Sequence, residues 1–227
     1  MCGRYSITDP NKAIQRLFGY DGSVLNWPPM FNIAPTADVP IVIRGGNPEG
    51  GKPRALVRAR WGLIPSWAKD VKIGAKMINA RSETIAEKPS FHVAWKKRRC
   101  LIAADGFYEW GRDGDRNIPY RVAYEDERPF AFAGLWERWD GPEGPVRSCA
   151  IITVSANTIL APIHHRMPVI IDPKNFERWL GIEDGPDDDL HALLSSREIK
   201  GFRPYQVSER VNRVQNNDRE ILAPVVA

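Results

Sequence analysis

Proline and glycine interrupt this chain so often that every apolar stretch stays short. There are 19 prolines and 18 glycines among 227 residues. Between them lie brief segments that alternate in polarity or are apolar throughout, the pattern of strands. Val39–Arg44, Ala55–Leu63, Cys100–Ala104, Tyr120–Tyr124, Phe130–Trp136 and Ser148–Ser155 read this way. Helices are expected to be equally short. Thr8-Asp9-Pro10 offers a cap and a proline at the first helical position, with Ile14, Leu17 and Phe18 on the apolar face and a stop at Gly19. Phe91–Lys97, a segment after Asp172-Pro173 carrying Phe176, Trp179 and Leu180, and Asp187–Ser195 are the other main helix candidates, and Ser82 or Thr84 could open a shorter one. Pro204–Val214 gives a last strand and turn. Trp27–Pro35 reads as rigid and non-regular, and Gly45–Lys52 as a turn-rich connection. The sum is an α+β fold with a largely antiparallel sheet. No repeat, low-complexity tract or linker divides it, so residues 1–227 are expected to form a single domain.

Composition excludes several classes. At 43% apolar and 26% charged the chain is ordinary for a globular protein. No apolar run approaches the roughly 20 residues of a membrane span. The first residues lack the basic flank and apolar core of a secretory signal. Three scattered cysteines, Cys2, Cys100 and Cys149, make neither a disulfide framework nor a CxxC zinc pattern. A reducing cytoplasm fits them, and no metal or cofactor is expected. Charge is uneven: residues 1–110 hold 17 Lys and Arg against 9 Asp and Glu, and the remainder hold 15 against 19. A basic first half suits a polyanion, although a solvated surface explains moderate basicity more often. Lys96-Lys97-Arg98-Arg99 is the densest positive cluster and also suits a plain helix end.

Four places carry chemistry. Cys2 follows Met1, which is expected to be removed because Cys is small. An N-terminal cysteine joins an α-amine (pKa about 7.7–8.0) to a thiol (about 8.5), so both are partly nucleophilic near neutral pH. Amine and thiol together can turn an aldehyde into a thiazolidine. Position alone argues for a frayed terminus, but the helix after Pro10 tethers it. Glu109 lies among the aromatics of Gly106–Trp110, where a carboxylate is costly unless paired or raised in pKa; a solvated hairpin face would remove that cost. His164 and His165 sit beside Arg166 between two prolines, which favours a proton-transfer group over core filling. Trp67 stands on a loop after a strand bearing Arg58 and Arg60, where an indole can stack on a base or fold inward.

Six motifs in order resemble the SRAP family, the SOS-response-associated peptidase-like or abasic-site processing proteins. They are Met-Cys-Gly-Arg-Tyr at 1–5, Asn-Ile-Ala-Pro at 32–35, Trp-Gly-Leu-Ile-Pro at 61–65, Ile-Asn-Ala-Arg-Ser-Glu-Thr at 78–84, Asp-Gly-Phe-Tyr-Glu-Trp at 105–110 and Ile-His-His-Arg-Met-Pro at 163–168. The resemblance implies a compact domain around a barrel-like sheet with short flanking helices. It implies that the protein binds single-stranded DNA carrying an abasic site and couples Cys2 to the sugar aldehyde. Asn79, Glu109 and His164 would complete the site, and Arg4, Trp67, Arg81 and Arg166 would contact DNA. A monomer in the cytoplasm, on the nucleoid in a prokaryote, is expected. The resemblance also implies a peptidase activity tied to removal of Met1. Two other readings stand beside it: a thiol peptidase or hydrolase using Cys2, His164 and Glu109, and a non-catalytic single-stranded DNA-binding module.

Overall fold

A computed structural model describes residues 2–20, 26–45, 53–196 and 198–225. In chain order, β1 (Arg4–Ile7) leads into α1 (Pro10–Phe18), then β2 (Met30–Ile33), β3 (Asp38–Arg44), β4 (Arg54–Trp61) and β5 (Asn79–Arg81). α2 (His92–Lys97) precedes β6 (Arg99–Ala104), β7 (Gly106–Asp113), β8 (Arg116–Tyr124), β9 (Phe130–Gly141) and β10 (Gly144–Ser155). β11 (Arg166–Pro168), β12 (Ile170–Ile171), α3 (Phe176–Leu180), α4 (Asp187–Leu193) and β13 (Phe202–Gln206) follow.

Five strands close into a ring: β10 pairs with β4, then β3, β6 and β9, which returns to β10. Only the β4–β10 contact in that ring is parallel. Closure leaves no exposed ring edge to recruit another chain. β6 is buried on nearly all of its length, because one face looks into the ring and the other meets α1 and α3. That double burial is why Cys100–Ala104 is apolar throughout instead of alternating. β5 adds to β10 in parallel, and β11 and β12 extend the sheet at β10 and β9.

The second sheet runs β13-β8-β7-β1-β2 and is antiparallel throughout. Tyr5 joins the two sheets, with its ring edge-on to Trp61 and Phe132 at 5.1 and 5.7 Å. Edge-to-face pairs of this kind add about 0.5–1.5 kcal/mol beyond the area they bury.

α1 begins and ends where its caps require. Asp9 accepts from the Lys12 amide at 3.1 Å, and Gly19 takes the left-handed conformation at φ 69°. Two expectations are corrected. Trp27–Pro35 is not irregular: Met30–Ile33 forms β2, because prolines 28 and 29 end before it and its backbone finds a partner in β1. The terminus is tethered earlier than α1. β1 lies between β7 and β2, so strand pairing holds the chain from Arg4 onward. The expected connection Gly45–Lys52 falls almost entirely outside the described residues. Among the described residues no helix is long and apolar enough to cross a membrane.

Candidate active site

Cys2 is fully buried, two residues ahead of the first residue of the strand that anchors it. Its thiol donates to the Arg4 carbonyl at 3.8 Å, and its own carbonyl accepts from Asn79 Nδ2 at 2.9 Å. Asn79 reaches it because β5 runs parallel to β10, with Asn79 opposite Ile151. Trp61 Nε1 fixes the approach to β5 by donating to the Ile78 carbonyl at 3.0 Å. The Asn79 amide oxygen is also buried and meets no hydrogen-bond partner among the described residues. With Nδ2 committed to Cys2, that oxygen is an acceptor held ready for an N–H or O–H.

Glu109 enters from β7. The pairing of Arg4 with Tyr108 sets Glu109 beside the residues that precede β1. It shares a strand face with Phe107, which points into the main core, while Tyr108 points to a separate small cluster. Glu109 is therefore 3% exposed, not on a solvated hairpin face. Burial drives its carboxyl up to about 7. Burial also pushes the Cys2 thiol well above its ordinary value, and the Glu109 charge adds to that rise. The expectation of a partly ionised thiol near neutral pH is corrected on this ground.

His164 sits on a turn after β10. Its amide donates to the Leu160 carbonyl at 2.9 Å, and Asn157 Oδ1 stabilises the same turn by accepting from the Leu160 amide at 3.0 Å. The turn packs on the strand carrying Glu109: a Cβ placed on Gly111 would lie 3.7 Å from Ile163 Cγ2. The Arg166 amide donates to His164 Nδ1 at 2.9 Å. Burial lowers the basicity of His164, which favours the neutral ring. His165 is exposed and stacks on it, with ring centroids 4.4 Å apart.

The four residues assigned to DNA differ in availability. Trp67 is 57% exposed on a loop pinned by a glycine crossing. A Cβ on Gly62 would lie 2.5 Å from the Gly74 carbonyl oxygen, so two backbones pass there with no room for a side chain. Arg81 is exposed at the end of β5, two residues from Asn79. Arg4 is half-buried, and its Nη1 donates to Asn32 Oδ1 and to the Val211 carbonyl, both at 2.8 Å. Arg166 is buried and held by Glu83 and by the Thr153 carbonyl.

The site therefore comes from four distant parts of the chain, each fixed by strand register or a capped turn. A family-level match to "SOS response associated peptidase (SRAP)" spans residues 1–214. The chain belongs to the SRAP family. Among its relatives, abasic site processing protein YoqW of Bacillus subtilis (strain 168) is 42% identical over 226 residues, covering 98% of this chain and 99% of that protein. Abasic site processing protein HMCES of Gallus gallus is 33% identical over 225 residues, covering 87% of this chain and 66% of that one. A crystal structure of a protein from Bacteroides thetaiotaomicron superimposes with a TM-score of 0.84 at 26% identity, covering 99% of this chain and all of that one.

Several SRAP residues that build the site went without a role in the sequence reading. Asn32 donates from Nδ2 to the carbonyls of Val211, Arg213 and Asn216, tying the C-terminal segment to β2. Glu83 holds Arg166. Asp105 and Arg121 form a buried ion pair beneath β1. Asn32, Glu83 and Asp105 all stand inside the six motifs, which was the available signal; their partners lie far along the chain.

Proposed function

We propose that this SRAP protein senses abasic sites in single-stranded DNA and captures them covalently through Cys2 once Met1 is removed. The observation that carries the reading is the convergence of Cys2, Asn79 and a Glu109 carboxyl at about 7 inside one buried site. The names of the curated relatives supply the substrate class.

The ring-closed abasic sugar must first open. Neutral His164, with Nδ1 occupied, presents an Nε2–H that hydrogen-bonds the sugar ring oxygen; as the C–O bond breaks, Glu109 carries the proton of the anomeric hydroxyl to that oxygen and the aldehyde is exposed. The α-amine of Cys2 then adds to the aldehyde carbon. Glu109 takes the proton lost from nitrogen and returns one to the departing hydroxyl, so water leaves and a C=N bond forms. A carboxyl near 7 is suited to both transfers at neutral pH. The thiol adds across the C=N bond, its proton passes to nitrogen, and a thiazolidine closes; the net loss is one water. Because the thiol is held protonated by burial, the amine acts first and the thiol second. The orphan oxygen of Asn79 would orient the amine or a sugar hydroxyl.

Arg81 and Trp67 offer exposed groups to the strand, one for phosphate and one for stacking. Arg4 holds neutral partners and acts on phosphate through its charge, whereas Glu83 offsets the charge of Arg166 and leaves it the weaker phosphate contact. A thiol hydrolase would need an imidazole paired with a thiolate. Here burial disfavours the thiolate, and Glu109 is the side chain whose charge further raises the thiol. The protein would act as a monomer in a reducing compartment, on the nucleoid in a prokaryote. Its peptidase activity would be limited to release of Met1.

Intact-mass measurement after mixing Met1-free protein with single-stranded DNA bearing one abasic site tests the reading. An adduct short of the summed masses by one water is expected, absent with undamaged DNA and absent in Cys2→Ala. No adduct from the Met1-free protein would sink it.

A further inference from the structure

Glu83 touches none of the groups assigned to the reaction, yet through Arg166 it reaches His164. Arg166 opens β11 opposite Ser155 of β10 and is 7% exposed. Its Nη1 donates to Glu83 Oε1 at 2.6 Å and its Nη2 to Oε2 at 2.9 Å. Nη2 also donates to the Thr153 carbonyl at 2.6 Å. A fork-on-fork pair of this kind fixes the plane of the guanidinium as well as its place. The residue so fixed presents its backbone to His164. The Arg166 amide donates to Nδ1 at 2.9 Å, while its carbonyl oxygen lies farther from the same nitrogen, at 3.2 Å. A ring nitrogen that accepts a hydrogen bond carries no proton, so a neutral His164 keeps its proton on Nε2. Glu83 stands on the short 3-10 turn Ser82–Thr84 that directly follows β5. One segment thus delivers both Asn79 and the carboxylate that clamps Arg166.

We propose that Glu83 is a positioning residue for His164: by clamping Arg166 it holds the backbone N–H that sets the tautomer and direction of the imidazole. The proposal deepens the abasic-site reading and rests on the role given there to His164 in opening the sugar. A purely structural Glu83 would cost stability when removed and leave the imidazole proton where it was.

The test is nitrogen NMR of the imidazole rings in DNA-free protein, with the His164 signals assigned by their loss in His164→Asn. The wild-type ring is expected to show one tautomer, with the proton on Nε2. In Glu83→Ala the two nitrogens should move toward averaged shifts. Adduct formation should slow about tenfold to a hundredfold while affinity for undamaged single-stranded DNA stays within about twofold. Glu83→Asp, which keeps a carboxylate, should recover part of the rate and of the single tautomer. If Glu83→Ala does not fold, the isosteric Glu83→Gln takes its place with the same readouts. Unchanged His164 signals in a folded variant would overturn the proposal, as would affinity falling in step with rate. If wild-type protein makes no adduct at all, the functional reading fails, and the NMR comparison still decides the positioning claim.

Discussion

Two carboxylates stand four residues apart at β7, and both are buried. Asp105 is 5% exposed and Glu109 is 3% exposed. Their surroundings differ. Asp105 accepts from the Ser6 hydroxyl at 2.6 Å and the Thr8 hydroxyl at 2.7 Å, and Arg121 Nη2 lies 3.1 Å away. Glu109 faces the core beside Phe107 and Cys2, and burial has carried its carboxyl to about 7. Burial by itself therefore does not mark a reactive group. A buried carboxylate held by a guanidinium and two hydroxyls is architecture; one raised to neutrality by desolvation can exchange a proton with substrate. The two are also connected, because Asp105 and Arg121 grip Ser6 and Thr8, and these residues carry the strand that holds Cys2 in place.

The largest effect is expected from breaking the Asp105 side of this contrast. Arg121 is 2% exposed and packs so closely under Gly106 that a Cβ there would lie 2.6 Å from its Nε. Arg121→Ala leaves Asp105 buried without its cation and should cost about 3–5 kcal/mol, the usual range for removing one partner of a buried pair. Urea denaturation measures it. A loss below about 1 kcal/mol would show that the hydroxyls suffice and that the pair is no more than a surface bridge in worth.

Glu109→Gln probes the other side. A carboxyl raised in the fold keeps a proton that the unfolded chain has already lost. Wild-type stability should therefore fall as pH rises from about 4.5 to about 7 and then level off, the fall being on the order of 3 kcal/mol at 1.36 kcal/mol per pH unit. Gln cannot ionise, so the variant should match wild type near pH 4 and exceed it above pH 7. Adduct formation should slow in the variant and lose any bend in its pH profile near 7. Parallel stability curves for the two proteins would show that Glu109 titrates in the ordinary range.

Much of the sheet was legible from the chain. The strand over Val39–Arg44, the helix from Pro10 and its Gly19 stop depend on local alternation and capping, which sequence displays. Closure of the ring was not, because it rests on β9 meeting β10 and β10 meeting β4 at registers no single segment specifies. β1 was missed for the same reason: Arg4–Ile7 is too short to alternate convincingly, and it is a strand because β7 and β2 flank it. At the site, residue types pointed to Cys2, Glu109 and His164, while the outcome depended on side-chain placement. The phase of β7 decided whether Glu109 faced water or core. The resemblance placed Arg4 and Arg166 at DNA, and nothing near them in sequence announced their protein partners, some as distant as Val211.

The smallest effect on stability should come from Trp67, which lies outside both carboxylate environments. At 57% exposed on a loop anchored by the Gly62–Gly74 crossing, it contributes little to the core. Trp67→Ala should change unfolding free energy by no more than about 0.5 kcal/mol, as for other surface substitutions. If the indole stacks on a base, affinity for single-stranded DNA should fall by about 1–3 kcal/mol. Binding is measured by fluorescence anisotropy with undamaged DNA, so that no covalent step contributes. At saturating abasic DNA the adduct rate and its bend near pH 7 should be those of wild type, because Trp67 supplies affinity and Glu109 supplies proton transfer. A Trp67→Ala protein that binds normally would move strand recognition onto Arg81 and the flanking charge. One that binds weakly and also loses the bend would show that DNA engagement itself sets the state of Glu109, joining the exposed and buried halves of the site.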